Sequence, residues 1–201
     1  MTLFQLIMLG ASAYFAFKVY EHIQTLQDSD ESLNKESANS ERSVDAFSTF
    51  SPESLVARAD EAYEEKDFQK ALALLTEANA KDARNPEILF KQGYILQQIG
   101  EDDKAIDSYK EALELDANNE YIHNSLASVY RKNSEFASAK LHLHASLEID
   151  GNNPVTYYNF GNLLVDMHKN EEAIEMYKKA VELNPDFEEA KEELKKLQGE
   201  N

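Results

Sequence analysis

The sequence predicts an all-α fold: a solenoid of four helix pairs with a C-terminal capping helix, preceded by one transmembrane helix. A pattern 34 residues long recurs four times between residues 52 and 187 without an insertion. Within each copy, apolar residues recur at three- and four-residue spacing in two separate runs, which is typical of two amphipathic helices. The third observation is an apolar run at residues 2–20, long enough to span a hydrocarbon core.

The apolar run at residues 2–20 predicts a membrane anchor within residues 1–27. Gln5 and Lys18 are its only strongly polar residues. At helical rise the run reaches across about 30 Å of hydrocarbon, and the Lys18 amine can extend to the interface. The membrane is therefore one predicted partner of the chain, contacted through residues 2–20.

A cleaved signal peptide is the alternative for this segment, because residues 11–13 resemble a small-residue cleavage site. No Lys or Arg precedes the apolar run, however, and apolar sequence continues past that site, so we favour an uncleaved, single-pass anchor. Lys18 follows the run, and the positive-inside bias then predicts cytoplasmic repeats rather than external or periplasmic ones.

Residues 28–51 predict an acidic, Ser-rich flexible linker. Ser, Asp, Glu and Asn dominate the segment, and its few apolar residues cannot offset the entropy of ordering the chain. Phe47 and Phe50 belong to its one apolar cluster. They form either a small docking motif or a cover for the exposed end of the repeats.

The four copies share small residues at two positions and larger ones at a third position. Small side chains let two helices cross closely, and large side chains fill the space around the crossing. The copies span residues 52–85, 86–119, 120–153 and 154–187. The small residues are Ala59, Gly93, Ala127 and Gly161 in the first helices and Ala71, Ala105, Ala139 and Ala173 in the second, with Leu75, Tyr109, Leu143 and Tyr177 as the large ones.

This pattern resembles the tetratricopeptide repeat family, most closely in "YILQQIGEDDKAIDSYKEALEL" of the second copy and at Pro185 of the fourth. The resemblance covers residues 52–187. It implies a right-handed superhelix whose first helices line a concave groove that binds peptides or another protein. The copies depart from the family at Arg58 and Gln92, where an aliphatic residue is usual, and they contain no Trp.

Residues 188–201 predict a capping helix and tail. Ala190, Leu194 and Leu197 continue an apolar stripe that begins at Phe187, and Gly199 can end the helix. A solenoid needs such a cap with a polar outer face at its open end.

Composition and motifs exclude several functions. The formal net charge of −18 argues against a nucleic-acid partner, because phosphate binding depends on Lys and Arg. The chain has no Cys, and His142 and His144 are two residues apart, so on a helix they point away from each other. We find no catalytic, phosphate-binding or dinucleotide motif. The sequence therefore predicts no enzyme, no cofactor and no metal site.

The family's groove positions, carried over residue by residue, predict the binding site. Aromatic side chains on a stripe that the fold need not bury suggest an interface, although they could instead cover the neighbouring helix. Asp60 lies where one subfamily clamps a carboxylate, and its charge disfavours that ligand. The predicted partner-groove residues are Phe90, Tyr94, Tyr121, Asn124, Arg131, Tyr158, Asn159 and Asn162.

The sequence is compatible with two functions. The first is a membrane-tethered adaptor that binds a partner protein or an extended peptide in its groove. The second is a self-associating scaffold or assembly factor of a membrane complex. The acidic charge indicates either a solvated surface or a basic partner. The sequence leaves the oligomeric state open.

Overall fold

The second of two units in the chain, from Phe50 onward, holds every helix described below. The structure, a computed structural model, describes residues 49–199, and over that range it contains nine helices and no strand. They are α1 Pro52–Glu64, α2 Phe68–Lys81, α3 Pro86–Gln98, α4 Asp102–Leu115, α5 Glu120–Lys132, α6 Phe136–Ile149, α7 Pro154–Asp166, α8 Asn170–Leu183 and α9 Glu188–Gln198.

Capping side chains mark the start of each first helix. The Asn85 side chain accepts hydrogen bonds from the backbone N–H groups of Glu87 and Ile88, and Ser51 accepts one from Ser54. Asn119 and Asn153 act in the same way at α5 and α7. These bonds satisfy N–H groups that have no partner within the helix, and three of the four helices add a proline at the first turn. A side-chain cap therefore fixes the residue at which each first helix begins.

The two helices of each pair are joined by a turn through one residue in the left-handed region. Gly100 adopts it with φ 84°, and glycine does so at no steric cost. Lys66, Ser134 and His168 adopt it at the same repeat position with φ near 60°. Their Cβ atoms make this conformation costly. The turn geometry is therefore imposed by the packing of the pair.

The helices of each pair cross at the small residues that the sequence predicts. A Cβ atom added to Gly93 would lie 2.6 Å from Cε1 of Tyr109, and one added to Gly161 would lie 2.5 Å from Cε1 of Tyr177. Where the large residue is Leu instead of Tyr, the small one is Ala: Ala59 and Leu75 are both buried, as are Ala127 and Leu143. The two positions are thus matched in size.

Successive pairs stack through two clusters of buried residues that meet at Leu72 on α2. At the far end, α9 packs on α8 with Ala190 fully buried and with Leu194 and Leu197 against the core. Gly199 ends α9 in the left-handed conformation. The described part of the chain is therefore an all-helical solenoid with a capping helix, as the sequence predicts.

The membrane-anchored localisation, with repeats facing the cytoplasm, is contradicted. Across residues 49–199, no helix is long and apolar enough to cross a membrane. The helices there have 11–14 residues, whereas a membrane span needs about 20 apolar ones. The predicted anchor at residues 2–20, and all of the predicted linker before Thr49, lie outside the described residues.

The size match at the helix crossing predicts a non-additive pair of substitutions. Gly93→Ala should destabilise the protein by about 1–2 kcal/mol, because overpacking against the Tyr109 ring outweighs the gain of about 1 kcal/mol in helix propensity. In a Tyr109→Leu background the same change should be neutral or stabilising, since the first repeat already combines Ala59 with Leu75. Urea unfolding of the four proteins measures the coupling. Equal effects of Gly93→Ala in both backgrounds would show that the ring does not set the residue at this position.

Candidate functional site

The first helices of the pairs, α1, α3, α5 and α7, form one surface, here called the inner face. Side chains on neighbouring first helices bond across it. The Lys91 ammonium lies 2.6 Å from the Asp60 carboxylate, and the Tyr63 hydroxyl donates to the Tyr94 hydroxyl at 3.2 Å. Gln97 and Ser128 meet at 3.4 Å, and Arg131 lies 2.6 Å from Asp166. Much of the inner face is therefore occupied with holding the repeats together.

A buried polar cluster closes the inner face between α5 and α7. The Asn124 side-chain amide lies 2.8 Å from both the Ser146 and the Thr156 hydroxyl oxygens and 3.0 Å from the Glu120 carbonyl. The Asn159 side chain donates to the Asn124 side-chain oxygen at 3.1 Å. Asn124 is only 6% exposed. Asn124 thus lies inside the fold, and Asn159 is half-buried beside it, because a buried amide needs such partners.

The inner face stays open between α1 and α3. The positions equivalent to Asn124 and Asn159 are Val56 and Lys91, which cannot form a short amide–amide bond. The backbones of α1 and α3 accordingly approach less closely than those of α5 and α7. A cavity of about 410 Å³ lies between them, within the usual size range of ligand pockets. Its walls are Ala59, Asp60, Tyr63, Leu75, Glu87, Phe90, Lys91, Tyr94 and Ile95.

A second cavity of about 280 Å³ continues this space toward the start of the two helices. It shares Asp60 and Glu87 with the first cavity and adds two further carboxylates, Glu53 and Asp82. The two cavities together are called the α1–α3 groove below. The groove has an apolar, aromatic end and an acidic end.

The aromatic end of the groove carries the hydroxyl groups of Tyr63 and Tyr94. The hydrogen bond to Tyr94 raises the pKa of Tyr63 to about 12, and burial adds to the effect. Tyr94 remains 39% exposed although it touches Tyr63, with ring centroids 5.6 Å apart. The two rings therefore offer a ligand an aromatic surface and two hydroxyl groups.

The other predicted groove residues are dispersed over the third and fourth repeats. Tyr121 is 60% exposed at the start of α5. The Tyr158 ring packs between Tyr177 and Phe187, at centroid distances of 5.9 and 5.0 Å, so it supports the capping end. Asn162 accepts a hydrogen bond of 2.7 Å from the Tyr177 hydroxyl. Of the predicted set, only Phe90 and Tyr94 line the α1–α3 groove.

A pair of histidines in the third repeat was missed from the sequence. The Nδ1 atoms of His123 on α5 and His142 on α6 lie 2.9 Å apart, and the Tyr130 ring stacks on His142 at a centroid distance of 5.5 Å. Burial, with help from the neighbouring charges of His123 and Lys110, lowers the pKa of His142 to about 4. Burial also lowers the pKa of His123.

The spacing of the histidines could have revealed this pair. His123 and His142 occupy the fourth and twenty-third repeat positions, where the second repeat has Leu89 and Ser108. A search for histidines spaced along one helix does not detect a contact between the two helices of a repeat. Residues 49–199 contain no group of three or more His, Cys, Asp or Glu side chains placed to hold a metal ion.

Comparison with known proteins defines the class. Family models described as "TPR repeat" and "Tetratricopeptide repeat" match residues 93–134 and 154–187. The described region is thus a helical-repeat solenoid, and the repeats that these models match are tetratricopeptide repeats. Such repeats are a protein–protein interaction module and are generally non-enzymatic.

Curated relatives share the repeats but are much longer. The chain is 30% identical over 131 residues to RNA polymerase II-associated protein 3 of Homo sapiens, covering 65% of this chain and 17% of that protein. The rat protein is 29% identical over 150 residues, covering 75% of this chain and 20% of that one. The chain therefore spans about a fifth of the length of these relatives.

Solved structures show the same fold. The first TPR of Spaghetti (RPAP3), bound to the HSP90 peptide SRMEEVD, is 27% identical with a TM-score of 0.54, covering 57% of this chain and 90% of that one. PilF of Pseudomonas aeruginosa has a TM-score of 0.68 at 18% identity, over 74% of this chain and 68% of that one. At that identity the likeness to PilF concerns the fold alone.

The half-buried histidine pair predicts sensitivity to acid. His142 has a folded pKa of about 4 against an ordinary value of 6.5. The unfolded chain therefore binds the proton first, and stability falls as the pH drops through this window. The variant His142→Met introduces the residue that the fourth repeat has at the same position, Met176. Between pH 7 and 4 this variant should lose about 1–2 kcal/mol less of its free energy of unfolding than the wild type, after allowance for solvent screening.

Urea unfolding at a series of pH values measures this effect. His168→Asn is the matched control, because His168 is exposed and lies outside the pair. Its pH profile should follow that of the wild type. If the His142→Met profile does so too, the pair carries no proton-linked stability.

Proposed function

We propose that this protein binds an extended segment of a partner protein in the α1–α3 groove. The observation that carries the proposal is the open cavity between α1 and α3, walled by Phe90 and Tyr94. Exposed aromatic side chains in a concave site are typical anchors for a partner.

Peptide binding by a relative supports the class of ligand. The Spaghetti (RPAP3) repeat domain was solved with a peptide bound, and its repeats share the fold of this chain. An extended peptide also suits the groove's shape, because the acidic and aromatic cavities follow one another along two neighbouring helices. The third and fourth repeats, closed by the Asn124 cluster, would then serve to rigidify the array.

Two tyrosines of one repeat separate binding from folding. Tyr94→Ala should leave the melting temperature within a few degrees of wild type, because the ring is partly exposed and loses one exposed hydrogen bond. The same variant should weaken peptide binding by about 2 kcal/mol, roughly thirtyfold. Tyr109→Ala should instead cost about 3–5 kcal/mol of stability, because Tyr109 is fully buried.

Peptides selected from a phage-displayed random dodecapeptide library against the full chain provide the probe, and their affinities are measured by fluorescence anisotropy. Tyr121→Ala is the control, because Tyr121 is also an exposed tyrosine of the inner face but lies outside the α1–α3 groove. Selected peptides that bind wild type and Tyr94→Ala equally well would remove the α1–α3 groove as the site. A melting temperature of Tyr94→Ala far below that of the wild type would show that the Tyr94 ring contributes to core packing.

A further inference from the structure

The α1–α3 groove carries an uneven charge. Four carboxylates line its two cavities, and one ammonium group opposes them. The groove therefore holds three uncompensated negative charges beside an aromatic pocket. The carboxylates are Glu53, Asp60, Asp82 and Glu87, and the ammonium belongs to Lys91.

Two nearby cations, Lys91 and Arg58, are already engaged. The Lys91 ammonium lies 2.6 Å from Asp60 and 3.9 Å from Glu87, so it is held against the wall by two carboxylates. The Arg58 guanidinium lies over the Phe50 ring, 4.3 Å from its centroid. Of the side chains that line the groove in the described region, Lys91 is the only cationic one. A ligand would have to supply the balancing positive charge itself.

We propose that the partner segment is basic, with an aromatic or large aliphatic side chain flanked by Lys and Arg. This inference rests on the peptide-binding function proposed above and adds the chemistry of the ligand. The apolar side chain enters the 410 Å³ cavity between Tyr63, Phe90 and Tyr94. The flanking cations lie against the carboxylates of the acidic end, where Glu53 and Glu87 are exposed.

Charge argues against occupants drawn from this chain. A second copy would bring a formal charge of −18 to an acidic groove. The chain's own residues 28–51 carry six carboxylates against two cations. Neither complements the groove, whereas a basic segment of another protein does.

Three matched synthetic peptides test the proposal on the full chain. The probe is fluorescein-labelled Gly-Ser-Arg-Lys-Phe-Arg-Lys-Ser-Gly. One twin replaces the four basic residues with Glu and Asp, and the other replaces Phe with Ala. The basic aromatic peptide should bind at least about a hundred times more tightly than the acidic twin and about ten times more tightly than the Ala twin. Added salt should weaken it.

Variants then locate the charge effect. Lys91→Gln should tighten the basic peptide about threefold, because it releases two carboxylates. Lys104→Gln makes the same change in net charge on α4, away from the groove, and should leave binding unchanged. Lys91→Gln also removes an ion pair between α1 and α3 and could change how these helices pack. Glu53→Gln is therefore a second test, made on an exposed side chain. It should weaken the basic peptide about twofold.

The outcomes separate the two proposals. If the acidic twin binds as well as the basic peptide while Tyr94→Ala weakens both, the charge inference is wrong and the groove function stands. If Tyr94→Ala changes the affinity of none of the bound peptides, both are wrong. Absence of binding by the basic peptide, or equal effects of Lys91→Gln and Lys104→Gln, overturns the charge inference. Concentration-dependent dimers that Tyr94→Ala abolishes would assign the cavity to a second copy and overturn it too.

Discussion

The close crossing of two helices within each repeat is the contact on which the rest of this structure depends. One residue with no side chain, or only a methyl group, lies against a ring or a branched chain on the partner helix: Gly93 on Tyr109, and Gly161 on Tyr177. Interiors are packed as densely as organic crystals, so the two positions must be matched in volume. The crossing fixes each pair as a rigid unit that can stack only on a similar unit. It also forces the left-handed turn on residues such as Ser134.

The tyrosines at these crossings also form hydrogen bonds with side chains of the first helices. The Tyr109 hydroxyl donates to the Gln97 side-chain oxygen at 3.1 Å, and the Tyr177 hydroxyl donates to Asn162 at 2.7 Å. Core tyrosines therefore orient polar side chains on the first helices. Between α5 and α7 those helices are tied by buried amides and hydroxyls around Asn124. Between α1 and α3, the extended Lys91 side chain reaches Asp60 in an ion pair of 2.6 Å instead, and space remains for a ligand.

The sequence predicts most of the fold, because the fold repeats. Small and large residues recur at fixed positions, and every one of Ala71, Ala105, Ala139 and Ala173 is fully buried. The site is less accessible to such reasoning, because it lies where the repeats differ. Asn124 occupies a position that holds Phe90 in the second repeat, and only the meeting of three helices shows that it is buried. The predicted anchor rested on hydropathy at residues 2–20, outside the described range, and no helix of residues 49–199 can span a membrane.

Ligand binding should occur where the inner face is open, and methyl NMR of the full chain distinguishes that region from the closed third repeat. Ala59 and Leu75 line the α1–α3 groove, and Ala127 and Leu143 occupy the same repeat positions in the closed third repeat. Titration with the tightest peptide from the random library should shift the methyl resonances of Ala59 and Leu75 and leave those of Ala127 and Leu143 unchanged. Shifts at Ala127 and Leu143, with Ala59 and Leu75 unmoved, would place the ligand at the third repeat instead of the α1–α3 groove.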